Sequence, residues 1–316
     1  MGNDRTMSSI LVTGAAGVVG FALCEQLAAT EHEIIGIDKK SPRWELDVPF
    51  KNLDLTSSPS LPNTDVIVHL AAHSRVPPVV DEPSKAFRNI GMTEPILEHA
   101  RRTDARIVFT SSREVYGNAI RPSESDVGPD SVNPYGASKI AGEALCNSYH
   151  NCYDIPITVL RLANVYGPYD TNTRVVPIFI ALATAGEELP VYGSDKILDF
   201  VYLGDVVQAV LSAIQRGSSL GGETINLGSG TGTSLTMLAD CVADAIESCP
   251  GYRVESKRGG EVQRYVTDVS KARALLDWEP TITLDKGIDR TVDWYRQQES
   301  LLAEIRQAVT GSGNSE

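Results

Sequence analysis

The chain has 316 residues, 42% of them apolar, which is enough for one large domain or for two lobes sharing a core. A formal net charge of −13 leaves no basic stripe to neutralise phosphates, which argues against a nucleic-acid partner. No apolar run approaches the roughly 20 residues needed to cross a membrane, and Cys24, Cys146, Cys152, Cys241 and Cys249 are odd in number without a Cys-x-x-Cys pair, which argues against a disulfide framework or a metal site and for a cytoplasmic protein.

In chain order, the polar start Met1–Thr6 does not resemble a secretory signal. Ile10-Leu11-Val12 predicts a buried first strand, followed by Gly14-Ala15-Ala16-Gly17-Val18-Val19-Gly20 and a helix over Val18–Ala29. Strand, glycine turn and helix form the context of a dinucleotide fingerprint. Gly14, Gly17 and Gly20 let the backbone approach a pyrophosphate, and the helix start at Val18 and Val19 offers N–H donors. A second strand, Glu33–Ile37, ends in Asp38, whose carboxylate can bind both ribose hydroxyls and repels a 2′-phosphate, so NAD is expected over NADP. Lys39 and Lys40 follow it.

Asp65–Leu70, Ala105–Thr110 and Ile157–Leu162 read as further buried strands, with helices over Ser84–Arg102 and Pro134–Tyr149 between them. Pro95 is expected to kink or divide the first of these near Glu94, while Pro134 suits a first helical turn capped by Asn133. Within the second helix, Tyr135 and Lys139 stand four apart and share a face. A free tyrosine, with a pKa of about 10, is a poor base at neutral pH, and a neighbouring ammonium would pull it toward the working range. His69 reads as a packed histidine, and Tyr166 and Tyr202 as core aromatics.

After Tyr169 the pattern loosens. It predicts a helix over Val175–Ala185, a loop at Glu187–Tyr192 leading into a short strand, and Asp199–Tyr202 entering a helix over Asp205–Gln215 that returns to the sheet. Short strands and helices around Thr233–Ser248 and Ser270–Leu276 come next, then a last helix from Asp285 to Ala308 and a disordered tail, Gly311–Glu316. The expected architecture is α/β: a doubly wound parallel sheet with a smaller, interwoven C-terminal lobe. Residues 1–168, with 199–222 returning, form the cofactor domain; 169–198 and 223–316 form the substrate lobe.

An ordered set of motifs runs through nearly the whole chain. Gly14–Gly20, Asp38, His69-Leu70-Ala71-Ala72, Ser111-Ser112-Arg113-Glu114-Val115-Tyr116-Gly117 and Tyr135–Lys139 are followed by Arg161–Pro168, Asp199–Tyr202, Ile225–Gly230 and Asp277–Pro280. The set resembles the extended short-chain dehydrogenase/reductase family, specifically its nucleotide-sugar epimerases and dehydratases. That resemblance implies a Rossmann lobe holding NAD permanently, a C-terminal lobe gripping a nucleoside diphosphate, and a homodimer formed through the helices at Ser84–Arg102 and Pro134–Tyr149.

It also implies roles for residues. Tyr135 would take a proton from a sugar hydroxyl, Ser112 would bind the same oxygen, and Lys139 would contact the nicotinamide ribose and tune Tyr135. Asp54 resembles an adenine-contacting acid, with a loop cap as the alternative, and Leu55, Leu70, Ala71 and Ala72 complete the cofactor wall. His73, Arg113, Asn164, Lys196 and Arg258 are the expected substrate contacts, Arg258 on the diphosphate. Leu198 stands where epimerases commonly carry a nucleotide-binding arginine. Family dehydratases resemble Thr-Asp-Glu where this chain has Ser112-Arg113-Glu114, and arginine cannot protonate a leaving group at neutral pH. The expected activity is 4-epimerisation of a UDP-hexose through a 4-keto sugar. A dehydratase or decarboxylase using Glu114 is the alternative, with a non-catalytic NAD sensor behind it. Arg113 can pair with Glu114 or meet a substrate carboxylate.

Overall fold

A computed structural model of the protein describes residues 7–128, 131–257, 259 and 261–310. The expectations for Met1–Thr6, Gly311–Glu316 and Arg258 lie outside the described residues. The first half alternates as the apolar runs predict: β1 (Ser9–Thr13), α1 (Val18–Ala28), β2 (Glu33–Asp38), β3 (Phe50–Asn52), β4 (Val66–His69), α2 (Val76–Asp81), α3 (Ser84–Thr103), β5 (Arg106–Ser112), β6 (Ala119–Ile120), α4 (Pro134–Tyr153) and β7 (Ile157–Leu162). The second half carries β8 (Asn164–Tyr166), α5 (Val175–Thr184), β9 (Leu189–Tyr192), β10 (Ile197–Tyr202), α6 (Leu203–Arg216), β11 (Thr224–Leu227), β12 (Gly232–Ser234), α7 (Leu235–Ala245), β13 (Tyr252–Glu255), β14 (Tyr265–Val266), α8 (Ser270–Leu276), α9 (Leu284–Tyr295) and α10 (Glu299–Thr310).

Seven parallel strands form the large sheet, in the order β11-β7-β5-β4-β1-β2-β3. Helices cover both faces, so the central strands read as continuous apolar runs: Ile10, Leu11, Val12, Val66, Ile67 and Val68 are fully buried. One face packs α1, α6 and α8; the other packs α3 and α4. The strand order reverses beside β1, which leaves a crevice at the C-terminal ends of β1 and β4, where Thr13 pairs with His69. Ser112 ends β5 opposite Leu162 of β7. The functional residues therefore gather at one edge of the sheet.

The remaining core joins α5, α7, α9 and α10 to a small sheet of order β12-β10-β8. Several boundaries differ from expectation. Thr224–Leu227, expected in the substrate lobe, is the edge strand of the large sheet, and α8 packs against α6 and β11. Asp199–Tyr202, expected to return to the large lobe, pairs instead with β8 and β12, and only α6 returns. Helix α3 runs through Pro95 undivided, because Met92, Thr93, Ile96, Leu97 and Ala100 bury one continuous face that compensates the missing backbone bond. The last helix is two helices: the N–H groups of Gln297 and Gln298 turn back on Trp294 and Tyr295, and α10 folds onto α5.

Two devices fasten the lobes. Arg43, after β2, grips Glu304 of α10 through two bonds of 2.7 and 2.8 Å. Beside it Trp44 stacks edge-on with Trp294 at 5.3 Å and Tyr169 at 5.4 Å, and donates to Gln298. The second device is Asp199, fully buried on β10. Its carboxylate accepts from the Ser229 amide (2.7 Å) and hydroxyl (2.6 Å) and from the Gly230 and Thr267 amides (3.0 Å each). Asp199→Ala leaves these donors unpaired in a dry interior. It is expected to cost about 3 kcal/mol of stability, read as a lower urea midpoint with an unchanged slope.

Candidate active site

A cleft of about 980 Å³ follows the C-terminal edge of the large sheet and opens between the lobes. At its cofactor end, Gly14 turns with φ +71°, and a Cβ there would stand 2.8 Å from the Ala71 amide. A Cβ on Gly20 would fall 2.1 Å from the Gly14 carbonyl oxygen, so only glycine lets α1 start this close to the turn. Gly17 caps α1 without a side-chain acceptor, which leaves helix-start N–H groups, at Val18 and Val19, to face an anion. Asp38 ends β2 with its carboxylate held by the Ala16 and Lys40 amides at 3.2 and 3.1 Å, and lines the cleft. This cradle and carboxylate fit a dinucleotide. Leu55, Leu70, Ala71 and Ala72 line the same wall. Asp54 also lines it while capping the turn that follows, accepting from the Thr56 amide at 2.9 Å and hydroxyl at 2.8 Å; the cap holds its carboxyl below the usual range.

Behind this wall sits a buried node. The Thr13 hydroxyl oxygen accepts from the Leu70 and Ala71 amides at 3.2 Å each, so its own proton goes to Nδ1 of His69, 2.8 Å away. Nε2 of His69 then carries the ring hydrogen toward the Thr93 hydroxyl at 3.5 Å. Burial, with the Lys139 charge adding to it, pushes the imidazole down to about 3. His69 is thus a neutral packing group, as its sequence context suggests.

At the reaction end, Asn133 caps α4 by accepting from the Gly136 amide at 2.9 Å, which sets Tyr135 in the first turn. Tyr135 is buried, and burial pushes its phenol up to about 12. A hydrogen bond from Ser112 and the charges of Arg174 and Arg113 pull it down, while Glu114 pushes it up. The Lys139 ammonium, one turn on, donates to the Thr110 carbonyl at 2.7 Å, above the Phe109 ring, and burial brings it down to about 8. Ser112 also accepts from the Glu114 amide at 3.2 Å, which closes the short turn Arg113–Val115.

Glu114 is buried and committed on both oxygens. One accepts from Asn133 Nδ2 at 2.8 Å, and the other forms an ion pair with Arg113 Nη2 at 2.9 Å. Arg113 also donates through Nε to Asn164 at 3.2 Å, and Asn164 donates onward to the Asp199 carbonyl at 2.8 Å. Lys196 pairs with Glu261 at 2.6 Å. His73, Arg113, Asn164, Lys196 and Leu198 all line the cleft.

Sequence reading missed three groups here. Asn89 receives the His73 amide at 2.7 Å and donates to Ser138 at 3.1 Å, which ties the loop after β4 to α4. Asn89 and Thr93, polar residues one turn apart on an apolar helix face, carried a readable signal. Arg75 and Arg174 reach across the cleft mouth from opposite lobes: Arg75 donates to Thr173, and Arg174 to Ser74 at 3.0 Å. No sequence pattern marks that crossing.

Residues 10–228 match the NAD dependent epimerase/dehydratase family. The chain is 33% identical over 310 residues to a UDP-glucose 4-epimerase of Mycolicibacterium smegmatis, covering 91% of this chain and 98% of that one. Among solved structures, the UDP-glucose 4-epimerase of Thermotoga maritima with UDP-glucose superposes with a TM-score of 0.86 at 29% identity, over 92% of this chain and 99% of the other. The UDP-glucuronic acid 4-epimerase of Bacillus cereus, in complex with UDP-glucuronic acid and NAD, gives 0.84 at 27% identity with the same coverage.

The His69 node yields a pH signature. Unfolded, the imidazole titrates near 6.5; folded, near 3. Between these values only the unfolded chain binds the proton, so this group's share of stability is lost as pH falls through that window. In urea unfolding, the advantage of the wild type over His69→Gln should shrink by about 2 to 3 kcal/mol between pH 7 and pH 4.5. A constant difference would show that the ring titrates alike in the native and unfolded states.

Proposed function

The chain belongs to the NAD dependent epimerase/dehydratase family, and from that premise we propose that it is a 4-epimerase of a nucleoside-diphosphate hexose, UDP-linked. Its cofactor is NAD, held by the Gly14–Gly20 turn and Asp38, with Lys139 at the ribose. What NAD supplies when bound is reversible two-electron oxidation at the sugar carbon. Tyr135 takes the proton of the C4 hydroxyl. Ser112 donates to the same oxygen, and the guanidinium charges of Arg113 and Arg174 favour the phenolate that abstraction needs. Once the 4-keto sugar turns over in the cleft, Tyr135 returns its proton and C4 is inverted.

The observation that carries this reading is the commitment of Glu114. A dehydratase needs a mobile acid and base beside Ser112. Here Arg113 stands in place of the acid, and Asn133 and Arg113 hold both Glu114 oxygens. Elimination of water therefore loses its agents, and proton exchange at C4 remains.

Purified protein should interconvert UDP-glucose with UDP-galactose, or UDP-N-acetylglucosamine with its C4 epimer, with product mass unchanged. A product lighter by water or CO2 would instead favour the lyase. Tyr135→Phe is expected to lower kcat by roughly 10³-fold while the fold, followed by circular dichroism, persists. Turnover unaffected by that change would remove the phenol from the mechanism, as a non-catalytic NAD sensor requires.

The protein is further proposed to be a homodimer through α3 and α4. Phe87 on α3, 75% exposed, supports this. Light scattering should give twice the chain mass, and a monomer refutes it. The five free cysteines support action in a reducing compartment, the cytoplasm.

A further inference from the structure

A chain with 28 basic against 41 acidic residues gathers three arginines, Arg75, Arg113 and Arg174, along the cleft that holds its catalytic phenol. Arg75 rises from the loop after β4 and Arg174 from the loop before α5, and both line the cleft mouth. Their hydrogen bonds cross: Arg75 to Thr173, Arg174 to Ser74. The two guanidinium groups are therefore neighbours, and Arg75 feels Arg174 as a like charge. Among the described residues Arg75 makes no ion pair, and Arg174 has only Asp170 at 3.9 Å. That Asp170 oxygen is itself buried without a hydrogen bond. Deeper in, Arg113 is nine-tenths buried with Nη1 lacking any partner.

Half-buried like charges and an unfilled guanidinium nitrogen are costly unless an anion belongs among them. Arg113 directly follows Ser112, whose hydroxyl bonds Tyr135, so an anion on the free Arg113 nitrogen sits near the reacting hydroxyl, and the charge of Arg174 acts on the same phenol. A diphosphate leaves the sugar from C1, across the ring from C4, whereas a carboxylate on C5 is the neighbour of C4. A planar carboxylate also matches the arginine fork. We propose that Arg174 and Arg75, backed by Arg113, form a carboxylate-binding subsite, and that the preferred substrate is a nucleoside-diphosphate hexuronate. This inference rests on the epimerase reading for the reaction but not for binding.

The test uses full-length protein with UDP-glucuronate and UDP-glucose. By calorimetry, UDP-glucuronate should bind at least about tenfold more tightly, and interconversion with UDP-galacturonate should show a similar preference in kcat/KM. By calorimetry, Arg174→Ala should abolish that preference, weakening UDP-glucuronate at least about tenfold and UDP-glucose far less, while turnover falls for both because the same charge favours the Tyr135 phenolate. Arg75→Gln, which keeps a hydrogen-bond donor for Thr173 without the charge, should act in the same direction. Equal or weaker binding of UDP-glucuronate by the wild type overturns the subsite. So does an equal loss of affinity for both ligands in Arg174→Ala, which would assign the arginine to the diphosphate. Uronate-selective binding without interconversion leaves the subsite standing and overturns the epimerase reading alone.

Discussion

Asn133 is the residue on which the site depends. Its carbonyl oxygen caps α4 and so places Tyr135 at the helix start, while its amide nitrogen holds Glu114. Glu114 in turn holds Arg113, Arg113 holds Asn164, and Asn164 reaches the backbone of Asp199. One buried line of polar contacts thus runs from the start of α4 to the strand that anchors the smaller lobe. Each member is held by the next, and among the described residues Nη1 of Arg113 is the one nitrogen along the line left for a ligand.

That line also explains why the lobes are interwoven. The large sheet needs α6 and β11, which follow β10, and β10 belongs to the small sheet. The chain must therefore cross between the two cores, and each crossing is pinned where it occurs: at Asp199 by four donors, and at Asp205 by Thr281 and Ile282. Both crossings are thus held by buried hydrogen bonds.

The parallel strands were legible because helices on both faces demand unbroken apolar runs, as in Ile10-Leu11-Val12. Asn133, Tyr135 and Lys139 were legible because capping and four-residue spacing are local rules. The edge strand at Thr224–Leu227 was not: Asn226 interrupts its short apolar run, and burial of that residue makes sense only once Tyr116, Glu124 and Pro122 supply its partners. The break between α9 and α10 carries no glycine or proline, and docking of α10 on α5 decides it. The Glu114–Arg113 pair was open between two readings, because the second anchor of Glu114 comes from Asn133, nineteen residues on. Contacts between loops, such as Arg75 with Thr173, follow no periodicity at all.

The aromatic junction at Trp44 has an optical consequence. The chain has three tryptophans, and two of them, Trp44 and Trp294, stack where the segment after Asp38 meets the C-terminal helices, with Trp44 on the cleft wall. Their emission is a built-in lamp for that seam. Indole light leaving Trp44 overlaps the absorption of a reduced nicotinamide, so the oxidation state of whatever lies in the groove is written into the protein's own glow.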